Sequence, residues 1–328
     1  MHAWRGHGFG PPESLRFEEL PDPPLGDGQV RIEVHASAVN FPDALYIAGT
    51  YQIKPTPPFI PGFEVAGVVV ESRAPALPVG TRVSSTLDGS GGYATHALAT
   101  PTTTFAIPER LPFVDAAALT VTYQTGHFAL HRRAGVKPRD WVLVHAGAGG
   151  VGSATIQLAR AAGARVIATA GGPAKVELCR RLGAEVAIDY RTDDFVPAVK
   201  QATGGRGADI IVDPVGGDVF DRSTKCVAFE GRIVVVGFTS GRIPQLAANH
   251  VLIKNYSVVG LHWGLYYLRG GLDPAVVQHT QRELFRLYLE GAIRPHVSSV
   301  LPLAEAQRAL RVVMDRGSTG KVVMTPQS

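Results

Sequence analysis

Residues 147–152 read Gly-Ala-Gly-Gly-Val-Gly, so Gly147, Gly149 and Gly152 satisfy the spacing G-x-G-x-x-G. Glycines at those intervals suit one chemistry in particular, the seating of a pyrophosphate on bare backbone. The first permits a tight turn, the second lets main chain come close to the phosphates, and the third lets a helix pack tightly on the preceding strand. Gly150, Val151 and Gly152 fall at the start of that helix, where unshared N–H groups and the positive end of the helix dipole favour anions. The spacing gains meaning from its context. It lies between the apolar run 141–146 (WVLVHA), which suits a strand buried on both faces, and a stretch over 151–162 in which Ile156, Ala159 and Ala162 recur at helical spacing. The competing reading is a glycine loop that joins strand to helix and holds no ligand.

The next strand end bears on which dinucleotide would be bound. A fold that prefers NAD places Asp or Glu about 20 residues after the first glycine, where it binds the ribose 2′-hydroxyl. Here that window, 167–172, reads Ile-Ala-Thr-Ala-Gly-Gly and holds no acid, while Lys175 lies just beyond it. A 2′-phosphate is repelled by a carboxylate and attracted by a cation, so the pattern points to NADPH. Lys175 is also the residue type found on any solvated helix. Tyr190, which ends the following strand, is either an adenine or phosphate contact or a rim aromatic.

These residues need a scaffold, and the sequence outlines one. From about residue 120 strands alternate with helices: 164–170, 186–190, 208–215, 232–238 and 257–262 read as strands, and 173–182 and 195–203 as helices. Such alternation is the mark of βαβ units and a parallel sheet. The first third is β-rich, with period-two alternation over 29–38 and a valine-rich run over 64–71. After Pro274 come an amphipathic helix to about 291, a second helix over 303–316 and a closing strand over 320–325. So short a tail has to pack back on the first segment, because alone it would bury too little surface.

Composition narrows the class. The chain has 328 residues, 45% hydrophobic, which suffices for a large core and makes two domains the expectation. Cys179 and Cys226 are the only cysteines, which excludes a disulfide framework or Cys-rich zinc module and suggests a reduced, cytoplasmic setting. The first ten residues lack the apolar core of a signal peptide, and no apolar run is long enough to span a membrane. The net charge of +4 comes without a Lys/Arg run of five, so it argues for an anionic small ligand or solubility rather than for nucleic acid. His127 and His131 are spaced i, i+4 but have Arg132 and Arg133 beside them, the pattern of a solvated helix face.

Together with 39–52 (VNFPDALYIAGTYQ), 260–264 (GLHWG) and 319–324 (TGKVVM), these features resemble the zinc-independent quinone oxidoreductases of the medium-chain dehydrogenase/reductase superfamily. The resemblance runs over essentially the whole chain. It implies an α/β fold in which a Rossmann doubly wound parallel sheet is inserted in a split, β-rich GroES-like catalytic domain. The implied division is 1–122, 123–260 and 261–328, with NADPH in the cleft between the domains. Residue by residue, it puts Asn40 and Thr125 beside the nicotinamide, Gly237 and Phe238 in the nicotinamide-side loop, and Tyr51 near the substrate as a proton donor. Asn40 is alternatively a strand-end residue bonding to backbone, and Tyr51 a packing aromatic. Asp43 reads as a cap on the helix that follows Asn40, and Tyr46 as packing. Zinc-dependent relatives have Cys where Asn40 stands and His where Phe63 stands, so no metal is expected. The implied reaction is hydride transfer from NADPH to a quinone or α,β-unsaturated carbonyl. The alternatives are an enoyl-thioester reductase and an NADPH-binding protein that acts on RNA or another partner. A homodimer is expected on separate grounds, because an exposed parallel-sheet edge such as 257–262 would otherwise invite uncontrolled pairing.

Overall fold

Residues 1–87, 91–268 and 273–326 are described by the structure, a computed structural model. The chain forms two compact units. One comprises Met1–Val121, Leu265–Leu289 and Pro295–Ser328, the other Thr122–Gly264 and Glu290–Arg294.

The first unit opens with the antiparallel pair β1 (His2–Arg5) and β2 (Arg16–Glu19). β3 (Val30–Val39), α1 (Phe41–Ile47), β4 (Glu64–Ser72), β5 (Arg82–Thr86), β6 (His96–Ala99), β7 (Thr104–Ala106) and α2 (Phe113–Leu119) follow. Alternation in β3 turns Val30, Ile32 and Val34 into a core with Val65, Val69, Val83 and Leu87. α1 starts where Pro42 presets a helical φ and where the Asp43 carboxylate accepts the Asn40 backbone N–H at 2.6 Å, the cap read from the sequence.

α3 (Val121–His127) leads into the second unit. There β8 (Trp141–Val144), α4 (Gly150–Ala161), β9 (Arg165–Ala170), α5 (Pro173–Leu182), β10 (Val186–Asp189), α6 (Phe195–Ala202), β11 (Ala208–Asp213), α7 (Gly217–Ser223) and β12 (Val227–Val235) alternate. α8 (Ala248–Lys254), β13 (Ser257–Gly260) and α9 (Trp263–Leu268) complete that run. The six strands form one parallel sheet in the order β10-β9-β8-β11-β12-β13. The order reverses between β8 and β11, and in such sheets ligands bind beyond the carboxyl ends of the strands at that reversal.

Four strands of this sheet depart from their sequence outlines: β11 ends at Asp213 rather than 215 and β13 at Gly260 rather than 262, and β8 and β12 differ as well. The apolar run 141–146 suggests a strand through Ala146, but β8 stops at Val144 because Ala146 adopts φ +50° to start the turn. β12 begins at Val227, ahead of the expected 232, and ends at Val235. Val236 N–H makes the last ladder bond, to the Asp213 carbonyl, and the chain then leaves the sheet as the Thr239 and Ser240 N–H groups turn to the carbonyls of Pro214 and Val215.

The chain then returns to the first unit with α10 (Pro274–Leu289), β14 (Val297–Pro302), α11 (Ala306–Met314) and β15 (Lys321–Thr325). β15 pairs antiparallel with β3, Val322 opposite Val39, and so completes a seven-stranded sheet in the order β14-β15-β3-β4-β5-β7, with β6 also paired to β3. α11 buries Ala306, Ala309 and Leu310 in the same cluster as Val39, Ile47 and Met324.

Candidate functional site

In the second unit, the turn after β8 is built for close approach. Gly149 N–H bonds to the Ala146 carbonyl and Ser153 N–H to the Gly149 carbonyl, each at 2.8 Å. The N–H groups of Gly150, Val151 and Gly152 therefore precede the first intrahelical bond of α4 and have no acceptor within the helix. A methyl group on Gly152 would meet the Ala146 carbonyl oxygen at 2.1 Å, and one on Gly147 the Cys179 Sγ at 2.9 Å. Any side chain there would break the turn, whereas Gly149, whose added methyl would be 3.2 Å from Ala146 O, presents open backbone.

The end of β9 shows what covers the window without an acid. A methyl on Gly171 would meet Tyr190 Oη at 2.5 Å and Arg191 Nε at 3.1 Å, and one on Gly172 would meet Arg191 Nη1 at 3.3 Å. Tyr190 and Arg191 therefore lie over Gly171 and Gly172, while Lys175 sits in the first turn of α5. Asp189, at the end of β10, faces backbone: its Oδ1 accepts N–H bonds from Gly172 at 2.9 Å and Arg191 at 3.0 Å. Those two bonds hold its carboxyl below the usual carboxylate range. Sequence reasoning missed Arg191. The signal available was a cation directly after Tyr190, at the end of the neighbouring strand.

Beyond β11 and β12 the loop carrying Gly237 and Phe238 rests on a second glycine pair. A methyl on Gly216 (φ +68°) would meet Phe238 Cδ1 at 2.8 Å, and one on Gly217 (φ +55°) Ser240 Oγ at 2.8 Å. Asp213 shapes this turn by accepting the Val215 and Gly216 N–H groups at 2.8 and 2.9 Å. Thr125 is buried on α3, which lies on α4: a methyl on Gly126 would be 3.0 Å from Thr155 Oγ1, and Gln157 Nε2 donates to Tyr123 Oη at 2.8 Å.

In the first unit, Asn40 belongs to a buried polar cluster rather than bonding mainly to backbone. Its Nδ2 donates to Glu64 Oε1 at 2.8 Å, and its Oδ1 accepts from Lys321 Nζ at 2.7 Å. Lys321 Nζ also donates to Glu64 Oε1 at 2.7 Å and to the Val39 carbonyl at 3.1 Å. Glu64 Oε2 accepts the Val121 N–H at 2.6 Å. Asp43, fully buried, accepts from Tyr93 Oη at 2.9 Å as well as from Asn40 N–H, and burial pushes its carboxyl up to about 7. Tyr51 leans on Phe63 with ring centroids 5.9 Å apart, and burial, then the Asp43 charge, pushes its hydroxyl up to about 12. Tyr46 packs edge-on against Phe59 and Phe63, as the sequence suggested. In the sequence Glu64 and Lys321 stand out only as members of the stretches 64–71 and 319–324. Their roles depend on β4 and β15 flanking β3, which no local pattern discloses.

Two family models match the chain: an alcohol dehydrogenase GroES-like domain over residues 26–109 and a zinc-binding dehydrogenase over 150–276. A quinone oxidoreductase-like protein 2 homolog of Nematostella vectensis is 39% identical over 304 residues, 92% of this chain and 82% of that protein. The chain belongs to the zinc-independent quinone oxidoreductase-like family. Within this family, the Escherichia coli quinone oxidoreductase solved with NADPH superposes with a TM-score of 0.93 at 28% identity, over 99% of this chain and 100% of that one. A 2-haloacrylate reductase of Burkholderia is 32% identical over 98% of both chains. The fold expectation, a parallel Rossmann sheet with a GroES-like part, holds for this quinone oxidoreductase-like chain. Thr125, Gly147, Gly149, Gly150, Val151, Gly152, Lys175, Tyr190, Gly237 and Phe238 all belong to the second unit, and Asn40 and Tyr51 to the first.

Proposed function

We propose that the protein is an oxidoreductase that uses NADPH to reduce a quinone or another α,β-unsaturated carbonyl without a metal ion. The observation that carries this reading is the strand end at Gly171–Gly172, which has no acid and is covered by Tyr190 and Arg191, beside a bare-backbone turn at 146–152. The turn fits a pyrophosphate. Lys175 and Arg191 fit a 2′-phosphate, for which Arg offers a planar set of donors. The E. coli relative solved with NADPH supports the same choice.

Bound NADPH would supply the hydride, chemistry that protein side chains lack. The chain's own residues bind and orient. The N–H groups of Gly150, Val151 and Gly152 would hold the diphosphate. Thr125, Phe238 and Asn40 would flank the nicotinamide. Tyr51 keeps its proton at neutral pH, since its hydroxyl titrates near 12, so it would donate a hydrogen bond to the oxygen on which charge accumulates. Phe63 and Tyr51 would supply an apolar wall that suits a flat conjugated acceptor.

The donor set does not fit catalytic zinc, which takes three protein ligands. Phe63 offers none, and the Lys321 ammonium already lies 2.7 Å from both Asn40 Oδ1 and Glu64 Oε1. A divalent cation there would face that charge at close range. The acceptor class follows from the same argument. Without a Lewis acid, reduction is easiest where conjugation spreads the incoming charge, as in quinones and enones, and the haloacrylate reductase relative acts on an activated alkene.

The test is cofactor oxidation with a naphthoquinone, a cyclic enone and crotonyl-coenzyme A, using NADPH and NADH in parallel, with and without a chelator. Turnover of the quinone or enone with NADPH, unchanged by chelation, is expected. Tight NADPH binding with no turnover of any acceptor would sink the reading, and faster turnover of the thioester would move the substrate to enoyl-coenzyme A.

A homodimer belongs to the same reading. β13 forms one edge of the parallel sheet, and α8, just before it, buries none of its residues and exposes Leu252 and Ile253 at 76% and 71%. An open strand edge beside an apolar helix face suits a second copy of the chain.

A further inference from the structure

Lys321 lies in the 319–324 motif, to which the function above gives no task. Its side chain is 3% exposed, and its three donors meet three acceptors: Glu64 Oε1, Asn40 Oδ1 and the Val39 carbonyl. An ammonium can only donate and a carboxylate only accept. Asn40 stands between one of each. The atom facing Lys321 must therefore be the carboxamide oxygen, and the atom facing Glu64 the nitrogen, so the amide cannot flip without two repulsive contacts. A buried ion pair contributes little net stability against apolar residues of the same size, so its value here lies in orientation. The β3–β15 register, with Val322 opposite Val39, delivers the lysine to this point.

We propose that Lys321 is a positioning residue: paired with Glu64 in the core, it fixes the carboxamide oxygen that Asn40 turns as an acceptor to the nicotinamide. The inference rests on Asn40 lying beside that ring. The second Nδ2 hydrogen points to the Ala38 carbonyl at 3.4 Å, so one lone pair of Oδ1 remains for the ligand, and its direction is set by Glu64 and Lys321. Glu64 spends its other oxygen on the N–H of Val121, the first residue of α3, so the same carboxylate also anchors the start of that helix.

The experiment compares Lys321→Arg and the double variant Glu64→Gln/Lys321→Met with the parent, by thermal melting and steady-state kinetics with NADPH and a naphthoquinone. The double variant removes both buried charges at similar volume, so its Tm is expected to stay within a few degrees of the parent. Its kcat should nevertheless fall at least tenfold, and adding Asn40→Ala to it should change kcat less than twofold further. Lys321→Arg keeps the charge and the fold but sends its donors from a longer, planar head, and its kcat/KM for NADPH should fall at least fivefold. Parental kcat and KM in either folded variant overturns the proposal. If Asn40→Ala in the parent chain leaves kcat and the NADPH KM unchanged, the placement of Asn40 itself fails, a result read from a different variant.

Discussion

Arg191 and Asp189, two residues apart, take opposite tasks at one strand end. The carboxylate is turned to the Gly172 and Arg191 N–H groups, while the guanidinium lies over the glycines. A charge-assisted bond to phosphate contributes about 1.5–3 kcal/mol. Arg191→Ala should therefore raise the KM for NADPH about tenfold or more and leave that for NADH within twofold, measured in the same assay. Asp43 gives a pH-dependent expectation. Its carboxyl is raised from 3.8 to about 7, so between those values the folded chain holds a proton that the unfolded chain has lost. Stability attributable to this group is then greatest at low pH and is lost as pH rises through 7. Urea denaturation should show the parent gaining on Asp43→Asn as pH falls from 8 to 5. A constant difference would place the proton elsewhere.

Elements fix those residues through backbone that tolerates little change. At the junction of β8 and α4, a methyl on Gly152 would lie 2.1 Å from a carbonyl oxygen, so Gly152→Ala should either displace the helix start or unfold it locally. We expect NADPH affinity, read by fluorescence titration, to fall at least a hundredfold. One residue beyond β8, His145 ties two other elements together, with Nδ1 2.9 Å from Thr169 Oγ1 on β9 and Nε2 2.9 Å from Ser223 Oγ on α7. Burial pushes its imidazole down to about 3 from 6.5, so it stays neutral in the fold while the unfolded chain takes up a proton. The fold thus loses stability as pH falls from 6.5 toward 3, at about 1.4 kcal/mol per pH unit from this group. His145→Asn should be less stable at pH 7.5 yet show a shallower loss between pH 6 and 4 in denaturant titrations.

For the whole molecule, association should depend on the α8 face. Leu252→Glu combined with Ile253→Lys puts charge on two side chains that are already exposed, so the monomer should retain its Tm at low concentration. Sedimentation is expected to show a dimer for the parent and a monomer for this variant. A parent that stays monomeric at tens of micromolar would remove the dimer from the reading. Among the described residues no helix is long and apolar enough to cross a membrane.

The amino-acid sequence alone determined the parts whose physics is local. Glycine spacing, the buried strand before it and the helix after it specify the 146–152 turn, because each residue there acts on its own backbone or its neighbours'. Apolar strand runs alternating with helical patterns likewise outlined most of the parallel sheet. The ends of β8 and β12 were not legible, since both are set by the turn that follows: Ala146 takes a positive φ, and the Thr239 and Ser240 N–H groups reach the Pro214 and Val215 carbonyls. Arg191 and the Asn40–Glu64–Lys321 cluster were decided by tertiary structure alone. The cluster's residues are separated by 24 and 257 positions and meet only because β4 and β15 flank β3, where burial makes every unpaired charge costly and so selects a single arrangement.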